Sequence, residues 1–245
     1  MSKAYKISGG LAGGGGVRAY QDLVLGSRSL WFLLKYECIM LLAKNCPGAL
    51  GLWLRKKLYP LLLGASGPGC LFGCGITLRH PGKIRLGAGV VVDDNVMLDA
   101  KGQDNQGIKL GDRVYVGRNS IVYTKGGDIE LADKVNVSAN CELFSGNKLF
   151  IGQGTVIAAY SYLLSGGEYD YKSLTPLAEQ AGDVSRGETR VGANVWLAAH
   201  VVVADGSRVG DNSVVGAGAV VRGEIPADSL AAGVPARVVR GLARQ

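Results

Sequence analysis

Aromatic residues, proline and histidine are all scarce in this chain of 245 residues: 7% are aromatic, 7 are proline and 2 are histidine. So few rings exclude a wide, aromatic-filled core. Low proline and the lack of a G-X-Y period exclude collagen, although glycine reaches 38. The five cysteines, Cys38, Cys46, Cys70, Cys74 and Cys141, are odd in number, irregular in spacing and contain no CxxC pair. They support neither a disulfide framework nor a zinc module, and read as thiols in a reducing compartment. A secretory leader is not expected, because Gly9, Gly10 and Gly13 to Gly16 dilute the first apolar residues. Charged residues are only 19% against 47% apolar, which excludes a disordered chain.

Charge is also unevenly placed. The net +7 lies wholly in residues 1–65, where nine basic residues face two acids, Asp22 and Glu37. The remainder carries 18 of each sign. A neutral main domain argues against nucleic-acid binding. The basic first quarter suits an acidic partner surface, and an anionic membrane is the expected one.

Residues 1–20 read as a flexible tail, and 21–65 as a basic amphipathic helical segment. Its first apolar stretch, Leu30 to Ala43, is too short and too charged to cross a bilayer, which needs about 20 apolar residues. Pro47-Gly48 breaks it, and a second stretch, Leu50 to Leu63, carries Trp53, Tyr59 and the Arg55-Lys56-Lys57 triplet. Residues 21–63 therefore predict either a helix pair lying in a membrane interface or a helical cap on the next domain.

From residue 86 aliphatic residues recur every six positions in sets of three. The sets are Leu86, Val92, Leu98; Leu110, Val116, Val122; Leu131, Val137, Leu143; Ile151, Ile157, Leu163; Val191, Leu197, Val203; and Val209, Val215, Val221. Glycine often follows an anchor, as at Gly87, Gly111 and Gly192. Six residues allow only a short strand and a tight corner, so three units close a triangular coil. The pattern predicts a mainly β fold, a parallel β-helix over residues 70–224 with six clear coils, a weaker one around Cys70 to Gly82, and a C-terminal tail, 225–245. Coil starts are separated by 24, 21, 20, 40 and 18 residues, so one long loop leaves the prism at about 165–188. A long loop on a stiff scaffold points to function.

The stretches Val191-Gly-Ala-Asn-Val-Trp-Leu-Ala-Ala-His200, Val209-Gly-Asp-Asn-Ser-Val-Val-Gly-Ala-Gly218 and Ala232-Gly-Val-Pro-Ala-Arg237 resemble hexapeptide-repeat acyltransferases. The resemblance covers about residues 70–241. It is nearest to the galactoside and maltose acetyltransferases and the O-acetyltransferases of surface polysaccharides. It implies a left-handed β-helix, a homotrimer, and acetyl-CoA as acyl donor between neighbouring prisms, with no metal. On matching positions it implies cofactor contacts from Ala199, Ala217, Gly218, Arg222, Arg237 and Arg240. It places the acceptor near Asn140, with Tyr169 and Tyr171 in the loop.

The family's loop histidine is missing; ungapped counting puts Glu168 there. Glu168 with Asp170, and His200 beside Ala199, remain as alternative general bases, and a non-catalytic CoA-binding trimer as a third reading. His80 reads as a turn residue. A carbonic anhydrase on the same fold would need three zinc-binding histidines, more than the chain has. The expected activity is O-acetylation of a sugar or glycolipid for cell-surface polysaccharide, in the cytoplasm at the inner face of the membrane. Amino sugar nucleotides, serine and xenobiotics are the alternative acceptors.

Overall fold

A computed structural model describes residues 16–167, 169–180, 182 and 184–243. The tail expected over 1–20 falls mostly outside these residues; its last part, Gly16–Tyr20, is the short helix α1. Residues Gln21–Leu25 continue as a π-helical turn that ends at Gly26, whose φ of 63° suits glycine.

Ser29 starts helix α2 (Leu30–Ala43), its hydroxyl accepting from the Phe32 N–H. Pro47 separates it from α3 (Gly48–Leu58). The turn folds closely onto α3 at Gly51, where a Cβ would stand 1.7 Å from the Cys46 carbonyl oxygen. Tyr36, Ile39 and Ala43 of α2, and Gly51 and Arg55 of α3, form the buried stripes.

The rest is a parallel β-helix with three sheets of eight, nine and seven strands, here faces I, II and III. Face I starts at Ala65–Ser66, face II at Leu71–Phe72 and face III at Thr77–Arg79. The coil glimpsed around Cys70 is therefore complete, and the solenoid begins at Ala65. It also runs past residue 224: Glu224–Ile225 and Ser229–Ala232 add two faces of an eighth coil. The final strand, Arg237–Gly241, turns back antiparallel on face II.

The hexad anchors stack in register. Leu86, Leu110, Leu131, Ile151, Val191 and Val209 are successive partners on face I. The Val92 and Leu98 series do the same on faces II and III. All are buried. A Cβ on Gly192 would lie 2.3 Å from the Asp211 carboxylate of the next coil, so the anchor-glycine pattern reflects close stacking at the corners.

Outward positions differ by face. Face I presents Arg85, Lys109, Glu130, Phe150, Arg190, Arg208 and Glu224, with Lys109 and Glu130 paired at 2.8 Å. Face II presents Val91, Tyr115, Asn136, Val156, Trp196 and Val214. Face III presents Met97, Ile121, Glu142, Tyr162, Val202 and Val220.

The two helices close the end of coil 1. Tyr59 packs edge-on against Phe72, an inward anchor of that coil. The first coil has no coil below it, so its outer backbone groups need other partners. Arg55 Nε donates to Phe72 O at 2.9 Å, the Tyr36 hydroxyl to Leu78 O at 2.7 Å, and Gly75 N to Lys44 O at 2.9 Å. The Arg55-Lys56-Lys57 triplet is thus split: Arg55 is buried against carbonyls, while Lys56 and Lys57 are exposed. His80, at φ 49°, is a turn residue; its Nε2 meets Asp22 O at 3.1 Å and ties the π-helical turn to the prism.

Candidate active site

Each corner between faces II and III needs one residue in the left-handed region. Asn140, Tyr160, His200 and Gly218 fill it on coils 4 to 7, with φ of 58°, 63°, 60° and 68°. Asparagine and glycine adopt this region readily; tyrosine does so at a cost of roughly 1–2 kcal/mol. The backbone N–H of each donates to the carbonyl of the coil beneath: Tyr160 to Ala139, His200 to Ala159, and Gly218 to Ala199 at 2.9 Å. The corner is therefore a straight column. It brings together five residues singled out from sequence: Asn140, Ala199, His200, Ala217 and Gly218.

Small residues keep this edge open. Ala139, Ala159, Ala199 and Ala217 each precede a left-handed residue. A Cβ placed on Gly218 would meet nothing within 4 Å. A narrow, extended ligand can thus approach the backbone. The exposed His200 ring stacks on Tyr160, with centroids 5.1 Å apart and planes 6° apart, which fixes its orientation.

One step outward, face III carries a group that lies outside the hexad pattern. Glu142 and Tyr162 are partners in register, each two residues beyond its corner residue. Tyr123 lies near both, and its ring centroid is 4.8 Å from that of Phe144. Burial pushes the Tyr123 phenol well above its usual range, and Tyr162 and Glu142 add to the shift. Tyr162 is raised too, by burial and then by Glu142, so both phenols stay protonated donors.

The long excursion occupies residues 166–188 and leaves the corner between faces III and I. The smaller insertions, 100–107, 125–127 and 146–147, leave the same corner. Asp205, buried and unflagged by sequence, holds both feet of the loop. One carboxylate oxygen accepts from Gly166 N and the Ser185 hydroxyl, and the other from Arg186 N. Within the loop Asp170 Oδ1 caps a turn, accepting from Lys172 N at 3.0 Å, while Gln180 bridges back to Asp170 and Thr175. Tyr169 and Tyr171 are exposed. Glu168 lies outside the described residues.

The three arginines differ in place: Arg222 lies at another corner, whereas the segment leading to Arg237 bonds back to Val220, two residues past Gly218. Arg222 is exposed beyond the strand Val220–Val221, at the opposite corner from Gly218. Arg237 and Arg240 are exposed on the final strand. Among the described residues no group of three or more His, Cys, Asp or Glu could hold a metal ion.

Residues 188–223, which contain coils 6 and 7, match the family model described as Bacterial transferase hexapeptide (six repeats). Galactoside O-acetyltransferase of Escherichia coli strain K12 is 32% identical over 130 residues, 51% of this chain and 62% of that protein. WbbJ of the same strain, provisionally named for O-acetyl transfer in lipopolysaccharide biosynthesis, is 30% identical over 119 residues, 46% of this chain and 61% of its own. The chain thus spans less than two thirds of the length of these relatives. A mutant of AntD, an N-acyltransferase from Bacillus cereus solved with dTDP-4-amino-4,6-dideoxyglucose and coenzyme A, shares the fold at a TM-score of 0.56 and 16% identity, covering 83% of this chain and 92% of that one. Stacked hexads, a parallel β-helix and these likenesses agree: the chain carries a hexapeptide-repeat β-helix and is similar, over part of its length, to bacterial transferases built on that repeat.

Proposed function

We propose that this protein is a CoA-dependent acyltransferase, moving an acetyl group to a hydroxyl of a sugar or glycolipid acceptor. The observation that carries the reading is the column on coils 6 and 7. There Ala199, His200, Ala217 and Gly218 share one open edge within the segment that matches the transferase model.

The edge fits a pantetheine arm. Alanine and glycine side chains leave the backbone approachable, and Arg237 and Arg240 supply planar donor forks suited to phosphate. The acetyl thioester supplies an activated carbonyl. His200, oriented by Tyr160, takes the proton from the acceptor hydroxyl as its oxygen bonds to that carbonyl carbon. As the tetrahedral oxyanion collapses, the carbon–sulfur bond breaks and the imidazolium returns its proton to the departing thiolate. Tyr123, Tyr162, Glu142 and Asn140 line the acceptor side with donors and acceptors matched to sugar hydroxyls. Asp170, Tyr169 and Tyr171, carried on the long loop, are further candidates for acceptor contact. Faces II and III, with their largely apolar outward rows, suit lateral packing in a homotrimer, whereas the largely charged face I suits water.

The test is transfer of labelled acetyl from acetyl-CoA to a panel of sugar, glycolipid, sugar-nucleotide amine and serine acceptors. Hydroxyl labelling is expected. Labelling of amines alone would overturn the O-acetyl reading, and failure both to transfer and to bind CoA would overturn the whole proposal.

A further inference from the structure

The helical cap has an outward face that the acyl-transfer reading does not use. On α2 and α3 the buried stripes are spent on coil 1, yet the opposite faces remain strongly apolar. Trp31 is 77% exposed, Leu41 87% and Trp53 56%, and Leu34, Leu42 and Leu50 are exposed beside them in sequence. A soluble monomer seldom leaves so much apolar surface on one small element.

We propose that this face docks on an anionic lipid surface. Charge decides between lipid and protein as the occupant. Over residues 30–61 the exposed basic side chains include Lys56 and Lys57, and the one acid is Glu37, held by the Tyr20 hydroxyl. Lysine is depleted in the cores of protein interfaces, whereas tryptophan, leucine and lysine together mark helices that lie in the headgroup region. Position agrees. The face lies at the end of the prism, away from faces II and III, where lateral contacts between copies would form. Among the described residues no helix is long and apolar enough to cross a membrane, so the contact is peripheral. The buried Arg55 takes no part; it holds the platform on which the two lysines are displayed.

Co-sedimentation of the full chain with phosphatidylglycerol-containing vesicles tests this, with pure phosphatidylcholine vesicles as control. The protein should pellet with the anionic vesicles only, and less so as salt rises. Lys56→Glu with Lys57→Glu should lower partitioning by at least about 10-fold. Trp31→Ser with Trp53→Ser should lower it similarly, and both pairs should keep wild-type acetyl transfer and oligomer mass. A wild-type protein that stays in the supernatant overturns the proposal, as do variants that bind as well as wild type. Tryptophan variants whose oligomer mass falls overturn it in favour of a contact between copies.

Discussion

Arg55→Ala should loosen the cap from coil 1. The guanidinium is buried and donates to three carbonyls: Phe72 O at 2.9 Å, Ala43 O at 3.0 Å and Cys46 O at 2.7 Å. Phe72 belongs to the coil edge, Ala43 to the end of α2, and Cys46 to the turn before α3. One side chain therefore joins three segments. Leaving a buried acceptor unpaired costs about 1–3 kcal/mol, and water reaching a loosened cap recovers part of that. Three acceptors together give a loss of about 3–5 kcal/mol. At about 2–4 °C per kcal/mol for a chain of this size, the melting midpoint should fall by at least about 6 °C. Hydrogen exchange gives the local readout: the Gly75 N–H, bonded to Lys44 O, should exchange faster, while amides of coils 4 to 6 stay protected. Lys56→Ala is the control, one residue away but exposed, and should stay within about 0.5 kcal/mol of wild type. If Arg55→Ala behaves like Lys56→Ala in both assays, the edge-sealing argument is refuted.

Three other outcomes are expected. His200→Ala should cut turnover about 10²–10⁴-fold in the acetyl-transfer assay; near-normal turnover would exclude His200 as the base and shift attention to Glu142 and Glu168. Asp205→Ala removes the clamp on both loop feet, so kcat should fall at least about 10-fold while CoA affinity, read by calorimetry, stays close to wild type; unchanged kcat would separate the loop from catalysis. His80 is held below its ordinary 6.5, first by burial and further by Lys101 and Lys83. The unfolded chain therefore takes up the proton first as pH falls below about 6.5, and stability drops across the window down to the lowered native value. Wild type should lose more melting temperature than His80→Gln between pH 7.5 and pH 5, and equal losses would contradict the buried neutral imidazole.

The repeat was legible because its signal is redundant. Each anchor such as Leu131 is required by the coils on either side, so the period survives insertions and the registers follow directly. The column at the corner was legible for the same reason: Ala199 and Ala217 stand one coil apart in a pattern already known. Coil 1 was fainter because Cys70, Phe72 and Ile76 replace the valine and leucine of later hexads. Arg55 was legible only as one of a basic triplet, because an arginine sealing carbonyls has the same sequence appearance as one facing water. Glu142, Tyr123 and Tyr162 were missed because outward strand positions answer to no packing period. Asp205 was missed because its partners, Gly166 and Arg186, become its neighbours only after the long excursion closes.

A solenoid capped at one end converts sequence distance into height. Neighbouring coils are separated by the strand spacing, about 4.8 Å, and the corner at Ala199 and Ala217 lies five to six coils from the cap, so about 24–29 Å from it. A protein standing on its cap would hold that edge farther still from the lipid, since the cap helices add their own thickness of about 10 Å. A single sugar attached directly to a lipid phosphate would sit far below the edge. The terminal residues of a longer lipid-linked glycan, or a freely diffusing acceptor, would meet it. The fold would then act as a ruler, selecting acceptors by reach before any contact tests their chemistry; acetylation of a vesicle-borne lipid monosaccharide by the docked enzyme would show that no such ruler operates.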